Sequence, residues 1–485
     1  MKKSLALITL IVLFCLLFSF IGCTFKDFAS EDGENLFKKA TLTNANGDKI
    51  KASTKQAVGE VINVKLSKAT TINTIVLGES KSIITNFELS CKDMTTGKMT
   101  TFYKQDLVED YRYCTFPSIN TDTVQIKVTS TRDNKKWNLN KLRAYNIVKT
   151  ASEDFVVFGY GMTGYAYDGV DPAIFDTVNH IDIIRSVNFD EQGNLHFASI
   201  ERDGKTIDGQ TVFETELANY RKAIGDRDVK IVVTIMNNGG DVVQMHNSVF
   251  TTHKDNFIAN VIAFAQKYDI DGVGLDYEYC YDGSDYKKYG NFIKDFQQAL
   301  PDDIILSLAM STWQFKTGLF PKNALPYIDM IQLMTYDLFD DYNYHSAFQY
   351  SVMDAISEFA FYAGKQYLSK VNLGLPFYAR PTGEWTADWI DFNKWAEDLP
   401  QYKFGNKVDY WTNIVKSDYQ IQPGNPQSQC SEMYFNSPQM IFDKVSFALD
   451  NKLGGVMFWH LGCDVPYQDD YSLIRTINRA IENRK

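Results

Sequence analysis

Asp276 and Glu278 close the apolar stretch Asp271-Gly272-Val273-Gly274-Leu275-Asp276-Tyr277-Glu278. Alternate side chains of an extended chain share a face, so Gly274, Asp276 and Glu278 point the same way. Two acids so placed can divide labour, one staying ionised while the other keeps a proton at neutral pH. The same residues also suit capping of the following helix or pairing with a surface cation, and the two acids alone do not choose. The six histidines are scattered, with no HExxH, and the cysteines form no CxxC pair. Metal-dependent chemistry therefore has no support in the pattern, and no cofactor is expected.

The elements that would hold these acids alternate strand and helix from about Asp154 onward. Buried, parallel-type strands are predicted at Phe155 to Tyr160, Ile181 to Asn188, Lys230 to Met236, Gly272 to Asp276, Ile304 to Ala309, Met330 to Met334, Val371 to Leu375 and Gly455 to Trp459. Amphipathic helices fit Asp255 to Lys267, Tyr286 to Leu300, Val352 to Gly364, Pro438 to Asn451 and Ser472 to Glu482. Eight such units over 152–485 predict a (β/α)8 TIM barrel, whose functional residues lie at the carboxyl ends of its strands. The longest insertion, Arg380 to Ser437, is rich in Trp and Tyr and follows the seventh strand.

Ahead of the barrel, 35–148 reads differently. Short alternating runs at Val61 to Leu66, Ile72 to Leu77, Phe87-Leu89-Cys91 and Val124-Ile126-Val128 are separated by turn residues such as Asn44 to Gly47. They predict an N-terminal antiparallel β-sandwich. At 485 residues, 45% hydrophobic and 14% aromatic, the chain is long and apolar enough for two folded units. If each has its own core, removing everything up to Ala151 should leave a soluble barrel. A net charge of −11 without a basic cluster excludes a phosphate backbone as partner, whereas sugar rings stack on aromatic faces. A monomer is expected.

At the N-terminus, Lys2 and Lys3 precede an uncharged run from Leu5 to Ile21 and then Gly22-Cys23. That is an export signal over 1–22, followed by a linker over 23–34. The sequence FIGC resembles a bacterial lipobox, with Phe20 at the usual Leu position, and implies lipid attachment at Cys23. The alternative is an uncleaved apolar anchor. Either places the rest of the chain outside the cytoplasm, held at a bacterial membrane or cell surface. Cys91, Cys114, Cys280, Cys430 and Cys463 remain, an odd number, so at least one free thiol is expected.

DGVGLDYE resembles the DGxDxDxE motif of glycoside hydrolase family 18, the chitinase family. Four further stretches are similar to that family's motifs on the expected strands: NNGG at Asn237 to Gly240 to its SxGG, QLMTYD at Gln332 to Asp337 to its MxYD, GLPFYAR at Gly374 to Arg380 to its GxPxY region, and GGVMFW at Gly454 to Trp459 to the segment that ends in its tryptophan. WNLNKLRAYN, Trp137 to Asn146, resembles the last strand of discoidin-like (factor V/VIII type C) modules, often carbohydrate-binding appendages. For Trp137 itself a core role outweighs ligand contact.

The family resemblance implies hydrolysis of β-1,4 bonds next to N-acetylglucosamine, with the substrate's own 2-acetamido group as nucleophile. Glu278 would be the general acid, and Asp276 would accept the acetamido N–H and offset the charge that develops there. Tyr336 would donate to the acetamido oxygen and Trp459 would floor the −1 sugar, with Asp337, Met334, Tyr160, Gly239 and Gly240 completing the substrate site. Gly274 departs from the pattern, standing where the family has an aspartate that partners the middle acid. Without that like charge Asp276 should titrate lower, and an Asp introduced at 274 should fit. Two other readings stay open: a non-hydrolytic glycan-binding protein on the same barrel, and an endo-β-N-acetylglucosaminidase acting on N-glycans.

Overall fold

The computed structural model describes residue 28 and residues 33–148, 150–237, 241–278, 282–340, 344–382, 389–393, 403–404, 407–408, 413–416 and 432–485. Cys23, Gly239, Gly240, Cys280 and Cys430 lie outside them.

Eight parallel strands close into a barrel: Val156–Met162, His180–Phe189, Lys230–Ile235, Gly272–Asp276, Ile305–Ser311, Met330–Met334, Val371–Pro376 and Gly455–Trp459. Closure is made by pairing of the second strand with both the first and the third, and of the eighth with the first. These are the eight predicted strands, with ends that differ by two residues at most. Their legibility has a physical cause: covered by helices outside and side chains inside, such strands are apolar on both faces. Val157, Ile181, Ile183, Val233 and Val273 join the shell core between strands and helices. Val156, Phe158, Tyr160, Ile184, Val232, Met236 and Met457 form a separate cluster within the barrel.

Two departures matter. The second strand carries a bulge, where Val233 and Ile235 on the third strand face Ile183 and Val187, and Arg185 within it adopts φ +66°. The helix expected from Val352 begins as a π-helical stretch, Gln349–Asp354, before the α-helix Ala355–Ala363. After the seventh strand, Tyr378–Pro381, Ile390–Asp391, Ile414–Lys416 and Glu432–Tyr434 form a small antiparallel sheet inside the long insertion.

The N-terminal unit is an antiparallel sheet of six strands in one hydrogen-bonded network. Val61–Gly78 is one strand where two were expected, and register shifts between Lys65 and Thr70 and between Ile72 and Thr74 separate its halves. Trp137 is fully buried and its Nε1–H donates to the Ala57 carbonyl at 2.9 Å, a core residue.

The expectation of two independent cores needs correction. The sheet has its own cluster around Ile62, Phe87 and Trp137, but Val76, Tyr111, Tyr113 and Tyr145 belong to the barrel's shell core. The helix Pro438–Asp450 lies between, and Asp443 and Asp450, seven residues apart, face the sheet. Asp443 accepts from Tyr103 Oη at 2.6 Å, Arg112 Nη2 at 3.0 Å and both the backbone and hydroxyl of Thr115. Asp450 accepts from Tyr113 Oη at 2.7 Å and from Arg484 Nε at 2.8 Å. Both ion pairs are essentially closed to solvent.

Candidate active site

The fourth strand delivers Asp276 and Glu278 to the carboxyl end of the barrel, as the alternation requires. Glu278 is exposed at the mouth, while Asp276 is 8% exposed, with Oδ1 buried and unbonded. The Asp276 carboxyl titrates well above the ordinary range. Burial is the largest cause, followed by the charge and hydrogen bond of Glu278 and the charge of Asp182, with Arg185 opposing. Losing the family aspartate therefore does not by itself leave Asp276 an easily ionised acid: burial and the charges of Glu278 and Asp182 hold it above the ordinary range.

The expectation that an Asp would fit at 274 also fails. A Cβ there would stand 2.1 Å from Thr234 Oγ1 and 3.2 Å from Asp182 Oδ2. The space is already taken by the Asp182 side chain and the residue that binds it.

Around the acids the barrel interior supplies aromatic and thioether surface. Tyr160, Met334, Tyr336 and Trp459 all pack in the interior cluster, which brings together residues from the first, sixth and eighth strands and the turn after the sixth. Trp459 and Tyr160 have ring centroids 5.5 Å apart, and the guanidinium of Arg185 lies 5.8 Å from the Trp459 ring centre. Trp459, at the carboxyl end of the eighth strand, is half-buried. Tyr336 is half-buried too, edge-on to Tyr378 at 6.2 Å. Gly374 on the seventh strand permits this packing, because a Cβ there would come within 2.6 Å of the Leu333 carbonyl and 3.0 Å of Tyr336 Cδ1.

Asp337 is held by a network that sequence reading did not assemble. Arg380 donates from Nε at 2.7 Å and from Nη2 at 2.6 Å, Tyr378 Oη donates at 3.0 Å, and His345 Nε2 lies 2.9 Å away. Burial pushes the Asp337 carboxyl up, but the hydrogen bonds and charges of His345 and Arg380 outweigh it and hold the group well below the usual range. Asp337 is thus a fixed anion beside Tyr336.

Asp182 and Arg185 were also missed, although both left a trace. The second strand reads Ile-Asp-Ile-Ile-Arg from 181, and a charged residue in a strand buried on both faces must be paid for by bonding or function. Asp182 is fully buried, accepting from the Thr234 backbone N–H at 3.0 Å and its hydroxyl at 2.6 Å, and burial pushes its carboxyl up to about 7. Arg185 instead escapes through the bulge, which turns its side chain to the exposed mouth.

The geometry has relatives. Chitinase A1 of Niallia circulans is 24% identical over 267 residues, 43% of this chain and 37% of its own length. The chain spans less than two thirds of the length of the curated relatives it matches. Among solved structures, a family GH18 chitinase from Cycas revoluta in complex with (GlcNAc)3 superposes with a TM-score of 0.52 at 15% identity, over 68% of this chain and 99% of that one. A chitinase-like agglutinin from Robinia pseudoacacia superposes at 0.51 and 20% identity, over 67% and 99%. At these identities the likeness is one of fold. The model of glycosyl hydrolases family 18 matches residues 165–464, a span holding seven of the eight barrel strands and every acid of the mouth, and the chain belongs to that family.

Proposed function

We propose that the protein is a glycosidase that hydrolyses β-1,4 bonds next to N-acetylglucosamine, in chitin, chitooligosaccharides or a related glycan. The observation that carries this reading is an exposed carboxyl, Glu278, beside a buried one, Asp276, at the carboxyl end of a barrel whose interior cluster also holds Tyr336 and Trp459. Glu278 gives its proton to the glycosidic oxygen while the acetamido carbonyl of the −1 sugar attacks C1 and the C1–O bond breaks. Glu278 then takes a proton from the water that opens the resulting oxazolinium ion. Asp276 accepts the acetamido N–H, the Tyr336 hydroxyl donates to the acetamido oxygen, and Trp459 lies under the ring.

The test is turnover of a chromogenic chitobiose derivative. Glu278→Gln should lose on the order of 10² to 10⁴ in kcat while still folding and binding oligosaccharide. Full turnover in this variant would sink the mechanism. A second reading, a glycan-binding protein without turnover, is favoured by Gly274 alone, and the same assay on the unaltered protein separates the two. Anchoring through a lipid on Cys23 belongs to the same proposal. It predicts that Cys23→Ala releases the protein from the membrane fraction, and unchanged partitioning would refute it.

A further inference from the structure

Position 274 has no side chain, yet the space beside it is not empty of charge. The Asp182 carboxylate reaches across from the second barrel strand to within 3.2 Å of where a Cβ of residue 274 would stand. Strand pairing steps the groups toward the mouth, with Asp182 level with Gly272 and Thr234 level with Gly274. Tyr160 is opposite Asp182, Val232 is also opposite Asp182, and Thr234 is opposite Gly274, with Asp276 two residues further toward the mouth on the same face. Thr234 binds both oxygens of Asp182 through its N–H and hydroxyl.

We propose that Asp182 is the carboxylate partner of Asp276, supplied by the second strand in place of a side chain that the fourth strand lacks, and that the two acids hold one proton between them. Asp182 is a positioning residue: it touches neither sugar nor bond, and acts by settling which of the two carboxyls is ionised. With the proton on Asp182, Asp276 is the anion that can accept an acetamido N–H. With the proton on Asp276, the Asp182 anion keeps both Thr234 hydrogen bonds. One O–H bond breaks and one forms, and no net charge enters or leaves the barrel.

The surroundings support a shared proton rather than two buried anions. Tyr160 from the first strand, Thr234 from the third, Glu278 beyond Asp276 and Tyr220 from the helix Gly209–Ile224 face the pair or lie within its field, with Tyr336 after the sixth strand acting on Tyr160, and none is a cation. Arg185 is a cation whose field reaches Asp276, and its side chain is exposed. Two buried carboxyls, one lying within the field of the other, resist ionising together near neutrality. Asp276 Oδ1, buried and unbonded, is left on the acid whose state has to change. The acid that the fourth strand lacks has therefore been relocated rather than lost.

The kinetic arm of the test rests on the glycosidase reading, and the spectroscopic arm does not. In the infrared, the full-length protein titrated from pH 5 to 9 should show a protonated carboxyl band that disappears with uptake of one base equivalent. Asp182→Asn and Asp276→Asn should each abolish that step while the fold, read by circular dichroism, is kept. In turnover, Asp182→Asn should move the acid limb of the kcat/KM profile by about one pH unit or more, because Asp276 then titrates alone rather than as one of a pair that shares a proton. It should lower kcat about tenfold and leave KM within about twofold. Relocating the acid in Asp182→Ala/Thr234→Ala/Gly274→Asp, which also clears the 2.1 Å clash, should bring the titration step back. An unchanged carboxyl band and pH profile in a folded Asp182→Asn protein would overturn the proposal. A wild-type protein without turnover but with the shared titration would overturn only the glycosidase reading.

Discussion

At the residue scale, the mouth is governed by where each carboxyl sits relative to water. Asp337 is ionised because Arg380, Tyr378 and His345 bind it, whereas Asp182 resists ionisation because it is buried among neutral donors. The sign for stability follows. A carboxyl raised to about 7 in the folded protein and ordinary when unfolded makes the folded state hold the extra proton, so its contribution declines as pH rises from about 4 to about 7. Asp182→Asn can keep both contacts to Thr234, with its amide oxygen accepting the N–H and its NH2 donating to the hydroxyl. It should therefore flatten that decline, and its melting temperature should gain on the wild type as pH rises, which thermal melts from pH 4 to 8 would read. A gain on the acidic side instead would mean that Asp182 is ionised throughout. Asp276 and Glu278 were legible in the sequence because two acids at a spacing of two interrupt an apolar run. Asp182 was not, because its partners lie on other strands, and no local spacing records a contact to Thr234, 52 residues away.

At the element scale, buried parallel strands announce themselves as unbroken apolar runs, so all eight were readable, and the helix Pro438–Asp450 followed from its stripe. The bulge in the second strand could not be read, because it arises from register against the third strand and from the hydrogen bonds of Thr163 to Ile184. Nor could the four-stranded antiparallel sheet that carries Arg380 to Asp337. Gly374 shows how strand contacts set the site. Its missing Cβ would meet backbone at 2.6 Å and 2.8 Å, from Leu333 and Thr335, and backbone cannot turn aside as a side chain can. Gly374→Ala should cost about 1–3 kcal/mol by overpacking. It should also shift Tyr336, so that kcat falls in protein that is still folded below its lowered Tm. Denaturant melts and turnover at low temperature would measure the two effects. Unchanged turnover would show that Tyr336 takes no part in the reaction.

At the scale of the whole molecule, the sheet and the barrel are joined by charges that neither can leave bare. Asp443 is fully buried, and its partners Tyr103, Arg112 and Thr115 all come from the sheet. Phe447 on the same helix packs edge-on against Tyr113 at 5.5 Å and Phe28 at 5.2 Å. A fragment that begins after Ala151 would leave Asp443 without these donors and would open Phe447 to water. It should aggregate, in contrast to the soluble barrel that two separate cores would allow. A point change tests the same joint without truncation. Asp443→Ala strands the Arg112 guanidinium in a dry interface, which typically costs about 3–5 kcal/mol, more than a hydrogen bond alone. Asp443→Leu with Arg112→Met removes both charges and should recover part of that loss, though not all, since Tyr103 and the Thr115 N–H still lack an acceptor. Because Asp443 lies on the helix outside the barrel, turnover per folded molecule at low temperature should stay near that of the wild type in both variants. A barrel fragment that proves soluble and melts like the full chain would show that the interface adds nothing to stability and that the two units are joined only in sequence.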